Sequence, residues 1–497
     1  MILEKTTLQV TSILEKLFEE HFEKVPEKIE PLAVSGSDRR YYRISSENIS
    51  AIGTYNMNIA ENNTYFYFTE LLRKHQINVP EVYKTSKDRR AYLQQDVGKT
   101  SLFDLLIKEG FTDNIRKLYH KALAGLAKIQ WIAGRDADFR QCFASKQFDE
   151  KAIMSDLLYF KYYFADLQNI TYDRSLLMNE MELLSKDLGR VQPQTLMYRD
   201  FQSRNIMVEN DTIYFIDFQG CMQGPPQYDL ASILWQAKAQ LPDNWKEDLL
   251  NGYIQTLNDL HVPRMDEIYF RRGYVQFVLV RLLQVLGAYG FRGLLQQKAH
   301  FITSIAPALK SLNNFLSNHP QTPPYPELRS LLEKISTEDM QQKYATSTNK
   351  EKPNLNIQIS SFSYKIGMPK ANNAHGGGFV FDCRGLLNPG RFAAYKHLTG
   401  KDDLVKQFLE RETQMPQFMD HVFALISINA EEYIERGYEQ LAVSFGCTGG
   451  QHRSVYAANK LAELIKLRFN LDTVVTHLNE KRWNLGEELI PTIKGSE

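Results

Sequence analysis

Residues 197–233 of the chain read MYRDFQSRNIMVENDTIYFIDFQGCMQGPPQYDLASI, and this stretch decides the fold of the first half of the protein. The apolar runs 206–208 and 213–216 predict two short strands, and the polar residues 209–211 between them predict a hairpin turn. Further on, Tyr-Asp-Leu-Ala at 228–231 predicts the start of a helix. The pattern is therefore a loop, a hairpin and a helix.

Three side chains with proton-accepting or metal-binding oxygens lie beside this hairpin. Asp200 and Asn205 lie on the loop that precedes it, and Asp217 directly follows its second strand. Because a hairpin returns the chain to its starting point, we expect the three groups to meet. Phosphoryl transfer needs one carboxylate to accept the proton of the attacking hydroxyl, and oxygens to hold Mg²⁺ against nucleotide phosphates. Asp200 is thus the candidate catalytic base, and Asn205 and Asp217 are candidate metal ligands.

A solvated polar turn is the alternative interpretation, and for an isolated Asp and Asn at this spacing it would be the better one. Three features agree here: the D-x₄-N spacing, the eleven residues between Asn205 and Asp217, and the helix start at 228–231. Their order matches the kinase signature, in which Arg-Asp-x₄-Asn precedes a second Asp. The agreement favours phosphoryl transfer.

The stretch resembles the aminoglycoside/choline phosphotransferase family, whose catalytic loop is His-x-Asp-x₄-Asn. It is most similar to kinases that phosphorylate N-acetylmuramate or N-acetylglucosamine at the anomeric hydroxyl. Their I-D-F-Q, G-P-x-x-Y-D-L and L-G-x-F strings are matched at 216–219, 224–230 and 286–289, the last with Tyr in the aromatic place. Tyr198 replaces the usual His, and Gly220 stands where those kinases tend to have an acidic residue. The resemblance implies ATP and Mg²⁺ as cofactors and a small-molecule sugar substrate.

The length of 497 residues predicts about two to four domains. We predict an α+β protein-kinase-like bilobal domain at 1–336, a polar linker at 337–354 and a smaller α/β phosphate-binding domain at 355–497. Within the first domain, the aromatic helix at 148–168 is interpreted as core rather than as a sugar platform. The apolar segment 274–291 carries interrupting polar residues and is interpreted as a buried helix rather than a membrane span.

A small-residue turn near the start of the first domain offers a site for the nucleotide. Ser35, Gly36 and Ser37 lie between two apolar runs, and Arg39 follows them. Gly and Ser leave room for backbone N–H groups to approach phosphates. These four residues are the predicted cofactor-binding residues, with an ordinary surface hairpin as the alternative.

The strand expected at 50–55 lacks the lysine that kinases of this type pair with a helix glutamate. Arg39, Arg40 and Arg43 are therefore candidates to neutralise the nucleotide phosphates, although each also fits a surface charge. Glu61, at the head of the following helix, has no obvious partner in the sequence.

Composition narrows the class of protein. Lys and Arg number 59, as do Asp and Glu, so no net positive charge is present to attract nucleic acid or an anionic membrane. The four cysteines lack a C-x-x-C pair, which argues against zinc and disulfides and fits a reducing cytoplasm. The N-terminal segment has the period of an amphipathic helix rather than a signal peptide. We predict a cytoplasmic protein that binds neither membrane nor nucleic acid.

A second landmark lies in the last third of the chain. Residues 441–445 predict a strand, 446–454 a glycine-rich loop and the residues through 467 a helix. This order aims free backbone N–H groups at an anion, with a plain glycine connection as the alternative. The predicted phosphate-binding residues are Cys447, Thr448, Gly449, Gly450, His452, Arg453, Ser454 and, after another buried strand, Arg384.

Cys447 and Arg453 also fit C-x₅-R, the spacing of cysteine-dependent phosphatases. In those enzymes the thiolate attacks phosphorus while the arginine and loop amides hold its oxygens. Gly446 stands where a histidine normally precedes the cysteine, and the sequence identifies no general acid.

The module resembles the C-terminal domain of the RNase adapter protein RapZ. The matching segments are 361–365, 381–384, 388–389, 398–400, 446–455, 477 and 480–482. The resemblance implies binding of a phosphorylated amino sugar, glucosamine-6-phosphate, by the glycine loop, and it favours binding over phosphatase chemistry. RapZ's own P-loop domain has no counterpart, because G-x₄-G-K-[ST] does not occur, so an RNA-adapter role is not implied.

These features lead to one hypothesis and two alternatives. The leading hypothesis is a small-molecule kinase for an amino sugar or cell-wall sugar, fused to a sugar-phosphate-binding domain that adjusts it. The first alternative is a nucleotide- and sugar-phosphate-binding regulator with a degenerate kinase lobe, favoured by Tyr198 and the missing strand lysine. The second combines a kinase and a phosphatase on one chain. The acceptor hydroxyl and the oligomeric state stay open at this point.

Overall fold

The structure, a computed structural model, describes residues 7–32, 39–262, 266–296, 298–345, 355–369, 378–435, 438–469 and 471–483. The chain divides into two compact units. The first comprises residues 1–295 and 304–343, and the second comprises 296–303 and 344–497.

The elements are numbered in chain order. The helices are α1 (Thr7–Phe22), α2 (Ile59–Lys74), α3 (Leu102–Glu109), α4 (Asp113–Trp131), α5 (Glu150–Tyr163), α6 (Arg174–Gly189), α7 (Pro226–Leu234), α8 (Asp243–Asp259), α9 (Glu267–Tyr289), α10 (Ala299–Ile302), α11 (Ile305–Asn318), α12 (Pro326–Ile335), α13 (Glu338–Tyr344), α14 (Asp403–Arg411), α15 (Met415–Glu435) and α16 (Arg453–Phe469). The strands are β1 (Lys28–Pro31), β2 (Arg40–Ser46), β3 (Ile49–Tyr55), β4 (Val82–Thr85), β5 (Ala91–Gln95), β6 (Thr195–Met197), β7 (Ile206–Glu209), β8 (Thr212–Phe215), β9 (Met222–Gly224), β10 (Asn356–Ser363), β11 (Gly378–Asp382), β12 (Gln440–Cys447) and β13 (Thr473–His477).

The first unit begins with a small lobe built on a five-stranded antiparallel sheet of order β1-β2-β3-β5-β4. One face of the sheet packs on α1, where Tyr42 and Ile44 of β2 join the helix side chains in a closed apolar cluster. Gly53 lets the helix approach, because a Cβ there would lie 2.9 Å from Leu14 Cδ1. The alternation of β2 therefore sends Tyr41 and Arg43 to the opposite face.

The large lobe is helical and carries two short β-ribbons, β6 with β9 and β7 with β8. The predicted hairpin strands at 206–208 and 213–216 are confirmed as β7 and β8. Helix α5 is the predicted aromatic helix, and Phe160 on it is fully buried. Helix α9 packs closely on α5, because a Cβ at Gly287 would lie only 2.8 Å from the backbone N of Phe160.

The segment Glu267–Leu295, which contains α9, is long and apolar enough to cross a membrane by length and composition. Within its most apolar window, 56% is buried inside the fold. Helix α9 contacts α5, α7 and α11 of the same unit. The predicted interpretation of 274–291 as a buried helix is thus confirmed.

The second unit is built on a four-stranded parallel sheet of order β11-β12-β10-β13. Helices α14, α15 and α16 bury an apolar core against it. Parallel strands place all their carboxyl ends at one edge of the sheet, and the loop after β12 lies at that edge. The predicted α+β bilobal domain followed by an α/β domain is confirmed.

The polar stretch predicted as a linker is only partly irregular. Residues 338–344 form helix α13, and Tyr344 at its end is buried. Low apolar content alone did not reveal this helix, whose polar side chains Gln341 and Lys343 donate hydrogen bonds to Ser336 O and Gln168 Oε1. Residues 346–354 of the predicted linker lie outside the described residues.

Candidate active site and anion-binding loop

The loop after β6 is held by a buried carboxylate on α7. Asp229 Oδ2 accepts a hydrogen bond from Tyr198 N (2.8 Å), and its Oδ1 accepts one from Arg199 N (2.9 Å). Gln130 Nε2 donates to Oδ2 from α4 at 2.9 Å. Burial raises the pKa of Asp229 to about 6, against the opposing effect of these three donors. Asp229, in the helix start predicted at 228–231, therefore anchors the loop that carries Asp200.

Asp200 supplies the carboxylate of this loop. Its side chain is 48% exposed, and its Oδ1 lies 3.3 Å from Arg281 Nη2 of α9. Desolvation opposes ionisation, but the guanidinium groups of Arg281, Arg199 and Arg204 outweigh it and lower the pKa of Asp200 below its usual value. Asp200 is thus an ionised carboxylate that a ligand can reach, as a general base must be.

Asn205 and Asp217 meet beside it, as predicted. Asn205 Nδ2 donates to the Asp200 carbonyl (2.9 Å) and approaches Asp217 Oδ2 (3.4 Å). Because the amide nitrogen is engaged in this way, Asn205 Oδ1 is left for another ligand. Gln219 Nε2 donates to Asp217 Oδ1 at 2.7 Å. Asp217 has φ +69°, and this left-handed backbone turns the chain sharply after β8.

The oxygens of Asn205 and Asp217 fit a magnesium ion. Mg²⁺ takes one or two carboxylates and keeps water and substrate phosphates as its other ligands. In the described part of the chain, no group of three or more His, Cys, Asp or Glu side chains forms a metal cluster. A site that combines one amide oxygen with one carboxylate suits a metal that arrives with a nucleotide.

Tyr198 takes the place of the family's histidine. Its ring is fully buried, and its hydroxyl donates to the carbonyl of Ile216 at 2.6 Å. Ile216 immediately precedes Asp217, so the phenol joins the loop that carries Asp200 to the end of β8 and the candidate metal ligand Asp217.

Two arginines and one aspartate of this site were missed by the sequence analysis. Arg199 forms a bidentate pair with Asp156 of α5, with N–O distances of 3.0 and 2.8 Å, and its guanidinium lies over the rings of Phe148 and Tyr228. Arg281, described above, approaches Asp200 from α9. The partners lie on helices remote in sequence, and no local pattern signals such a pair.

The two lobes of the first unit enclose a cavity of about 310 Å³. It is lined by the candidate metal ligands Asn205 and Asp217 and, from the small lobe, by Leu32, Arg39, Tyr41, Arg43, Ile52, Tyr65, Pro80, Tyr92, Gln94, Gln95, Asp96, Val97, Gly98 and Lys99. The predicted cofactor-binding residues Ser35, Gly36 and Ser37 lie outside the described residues.

Arg39, the fourth predicted cofactor-binding residue, lies in the cavity wall and is only 2% exposed. Its Nη2 lies 3.1 Å from Glu61 Oε1. Glu61, for which the sequence suggested no partner, therefore faces an arginine from the neighbouring segment.

Arg43 has a different role from Arg39. Its guanidinium donates to both carboxylate oxygens of Asp96 (2.7 and 3.0 Å) and to the Gly98 carbonyl (2.8 Å). Burial opposes ionisation of Asp96, but hydrogen bonds from Arg43 and Ser50 lower its pKa. Arg43 thus fastens β2 to residues 96–98, the segment that follows β5.

In the second unit, the glycine loop after β12 is locked to its neighbours by backbone-directed hydrogen bonds. Ser363 Oγ donates to the Thr448 carbonyl (2.7 Å), and Trp483 Nε1 donates to the Gly450 carbonyl (2.9 Å). Gly450 has φ +65°, and a Cβ there would lie 2.8 Å from Asn479 Oδ1. A Cβ at Gly449 would meet nothing within 4 Å. The loop is therefore tight at one glycine and open at the other.

Arg453 lies at the start of α16 and is 3% exposed. Its Nη1 donates to the carbonyls of Arg384 (3.0 Å) and Leu386 (2.6 Å), and its Nη2 donates to Thr448 Oγ1 (3.3 Å). Its Nε is buried without a hydrogen-bond partner in the described part of the chain. Most of the guanidinium therefore supports the walls of the loop.

Cys447 Sγ lies 3.1 Å from Ser454 Oγ, and both side chains are buried. The residue before Cys447 is held to glycine by packing, because a Cβ at Gly446 would lie 2.3 Å from the Tyr364 ring. The fold consequently has no room for the histidine that precedes the cysteine of phosphatases.

The remaining two predicted phosphate-binding residues face other groups. His452 Nε2 lies 2.9 Å from the Tyr395 carbonyl, and burial lowers the pKa of its imidazole. Arg384 is half-exposed, pairs with Asp382 and lies over the Tyr364 ring at 3.8 Å. The structure thus brings Arg384 to the rim of the loop and turns His452 towards the interior.

Two lobes around a cavity lined by Asn205 and Asp217, with Asp200 on the adjoining loop, define a phosphotransferase fold of the protein-kinase type. Residues 30–267 match the phosphotransferase enzyme family, and residues 355–481 match the RapZ C-terminal domain. The first domain is therefore similar to the phosphotransferase enzyme family, and the second is similar to the RapZ C-terminal domain.

Curated relatives include nucleotide-binding proteins of Fusobacterium nucleatum (35% identical over 133 residues) and Endomicrobium trichonymphae (39% over 112 residues). These matches cover 27% and 22% of this chain and 44% and 37% of the relatives. The chain thus spans less than half the length of either relative.

Solved structures with a similar fold include two choline kinases. The enzyme LicA from Streptococcus pneumoniae is 14% identical with a TM-score of 0.42, covering 62% of this chain and 99% of that one. The enzyme from Cryptosporidium parvum is 13% identical with a TM-score of 0.45, covering 65% and 99%.

We expect Tyr198→Phe to lower the free energy of unfolding by about 0.5–1.5 kcal/mol, because it removes the hydrogen bond that this buried phenol donates to the Ile216 carbonyl. Thermal unfolding of the full chain measures the change. Tyr162→Phe removes the same atom from a ring that is 54% exposed and serves as the control. Equal unfolding midpoints for the two variants would contradict the structural role assigned to the phenol.

We expect Gly450→Ala to destabilise the second unit by about 1–2 kcal/mol or more, because a side chain is strained at a left-handed position. Gly449→Ala, one residue earlier, is expected to leave stability unchanged. Differential scanning calorimetry of the two variants compares them directly. A midpoint shift in Gly449→Ala as large as that in Gly450→Ala would contradict the left-handed conformation of Gly450 and the open surroundings of Gly449.

Proposed function

We propose that the first domain is an ATP- and Mg²⁺-dependent kinase that phosphorylates a hydroxyl of an amino sugar or cell-wall sugar. The observation that supports this most directly is that Asn205 and Asp217 line one cavity, while Asn205 Nδ2 donates to the main-chain carbonyl of Asp200 on the same loop. The family match of residues 30–267 agrees with a hydroxyl as the acceptor.

In this mechanism, one residue of the site accepts a proton and two others bind the metal. Asp200, ionised and accessible, accepts the proton of the attacking hydroxyl. Asn205 Oδ1 and the Asp217 carboxylate would hold the magnesium, which neutralises charge on the phosphates during transfer. Asp229 and Tyr198 keep the loop and the end of β8 in register, so that the base and the metal ligands stay together.

The charges around Asp200 are largely paired. Arg281, Arg199 and Arg204 all act on its carboxylate. Arg199 is bonded to Asp156, and Arg281 lies 3.3 Å from Asp200 itself. The choice of an amino sugar or cell-wall sugar as the acceptor therefore rests on the sequence resemblance.

The structure weakens the case for a degenerate kinase lobe. That alternative was based on Tyr198 and on the absence of a strand lysine. The Tyr198 hydroxyl makes a hydrogen bond that links the loop to the metal-binding segment, and Arg39 faces Glu61 inside the cavity. Both departures from the family pattern are matched by groups that can take over the missing contacts.

For the second domain we propose binding of a phosphorylated amino sugar, with glucosamine-6-phosphate as the leading candidate. The open Gly449 and the half-exposed Arg384 leave space and charge for a phosphate at the loop. Because Arg453 is bonded to main-chain carbonyls, binding is favoured over attack by Cys447.

A fusion of these domains suggests regulation. We propose that the second domain senses a sugar phosphate, either the product or a related compound, and adjusts the kinase in the cytoplasm, where ATP is present and the four cysteines remain reduced. Cysteines 142, 221, 383 and 447 are all free thiols.

The kinase proposal predicts ATP consumption with N-acetylglucosamine or N-acetylmuramate as acceptor. Asp200→Asn is expected to reduce turnover by about 10²–10⁴-fold, the usual contribution of a general base, while ATP binding persists. Asp211→Asn is the control, since Asp211 lies in the exposed hairpin turn with φ +60°, which asparagine tolerates. Turnover that survives in Asp200→Asn would overturn the proposed base.

The second domain is tested by calorimetric titration of the full chain with glucosamine-6-phosphate and with glucosamine. We expect binding of the phosphorylated sugar only, weakened about tenfold or more in Arg384→Ala. Arg391→Ala, which removes an exposed arginine of the same unit, should bind as the wild type does. Equal affinity for the two sugars would exclude a phosphate site, and kinase rates unaffected by a bound sugar phosphate would exclude regulation.

A further inference from the structure

We infer that Arg39 holds the nucleotide phosphates in place of the strand lysine of protein kinases, and that Glu61 positions its guanidinium. This inference rests on the proposed function only in taking the cavity between the lobes as the nucleotide site.

Strand β3 shows which residue stands at the lysine's place. Ala51 and Tyr55 belong to the apolar cluster beneath the sheet, whereas Ile52 lines the cavity. Since side chains alternate along a strand, Thr54 faces the same side as Ile52. Thr54 is fully buried, and its side chain is too short to carry a charge into the cavity.

The neighbouring segment supplies the charge instead. Tyr41 pairs with Thr54 across the sheet and lines the cavity. Arg39 lies two residues before Tyr41, so it faces the same side and reaches the cavity next to the position of Thr54. The cation has therefore moved from β3 to the segment that leads into β2.

The guanidinium of Arg39 has N–H groups that form no hydrogen bond within the described residues. Its Nη1 approaches the Tyr41 hydroxyl at 3.4 Å. Within the described residues, Nε has no hydrogen-bond partner, and Nη2 lies 3.1 Å from Glu61 Oε1 without hydrogen-bond alignment. A buried guanidinium with unpaired N–H groups is costly unless a ligand supplies acceptors. The cavity that it lines also contains the metal-binding Asn205 and Asp217, so phosphate oxygens are the acceptors that fit.

Glu61 is itself fixed in place. Its Oε2 accepts a hydrogen bond from Asn56 Nδ2 at 2.8 Å. Its backbone N donates to Asn58 Oδ1, the N-cap of α2, at 3.2 Å. The carboxylate therefore presents a fixed charge to Arg39, as the helix glutamate of a protein kinase does to its lysine.

The test compares ADP and adenosine binding to the full chain by isothermal titration calorimetry. We expect Arg39→Ala to weaken ADP by about 10- to 100-fold, the usual effect of a lost charge-assisted contact, and to leave adenosine unchanged. Glu61→Gln is expected to weaken ADP by a smaller factor, also without an effect on adenosine. Unchanged adenosine binding shows that the cavity itself is intact.

The controls are Arg73→Ala and Glu81→Gln, which break an exposed ion pair of the same lobe and should change neither affinity. If the Arg39→Ala protein no longer binds adenosine, Arg39→Lys is used instead. Lysine keeps the positive charge but has only one nitrogen, so it should still lower the affinity for ADP and leave that for adenosine unchanged.

An ADP-to-adenosine ratio that stays at the wild-type value in the Arg39 variants would overturn the inference while leaving the kinase proposal intact. Absence of ADP and adenosine binding in the wild-type protein would overturn the nucleotide site and the inference together.

Discussion

The loop that carries Asp200 depends on a buried carboxylate that accepts hydrogen bonds from two consecutive backbone amides. Asp229 binds the N–H groups of Tyr198 and Arg199, and Arg199 adopts a left-handed backbone conformation (φ +79°). After this turn the Asp200 side chain is 48% exposed, whereas Tyr198 and Phe201 are fully buried. Keeping a carboxylate in the core raises its pKa to about 6, so its three donors are what maintain the charge near neutral pH.

Two arginines fasten segments of the first unit to each other. Arg43 joins β2 to the segment after β5 through a bidentate pair with Asp96, and Arg199 makes a similar pair with Asp156. A planar guanidinium with five donors can satisfy a carboxylate and a carbonyl at once, and it stacks on aromatic rings. These properties suit arginine to both positions.

The sequence predicted what is local and missed what is distant. Asp200, Asn205 and Asp217 were predicted to meet because a loop and a hairpin place them at set spacings, and the structure brings them together. The Arg39–Glu61 pair was missed because its members lie on different elements and the expected signal was a lysine in β3. Helix α13 was missed for another reason: its polar composition resembles that of a linker. Spacing therefore predicted which candidate groups meet, whereas the groups that support them required the fold.

The phenol at position 198 also changes how the site responds to acid. A histidine there would gain charge between about pH 5 and 8, and its hydrogen bond would change with it. Burial raises the pKa of Tyr198 well above its ordinary value, so the phenol remains neutral throughout that range. The hydrogen bond from Tyr198 to the Ile216 carbonyl therefore does not change with pH in this range. The groups in this part of the molecule that respond to pH are its carboxylates.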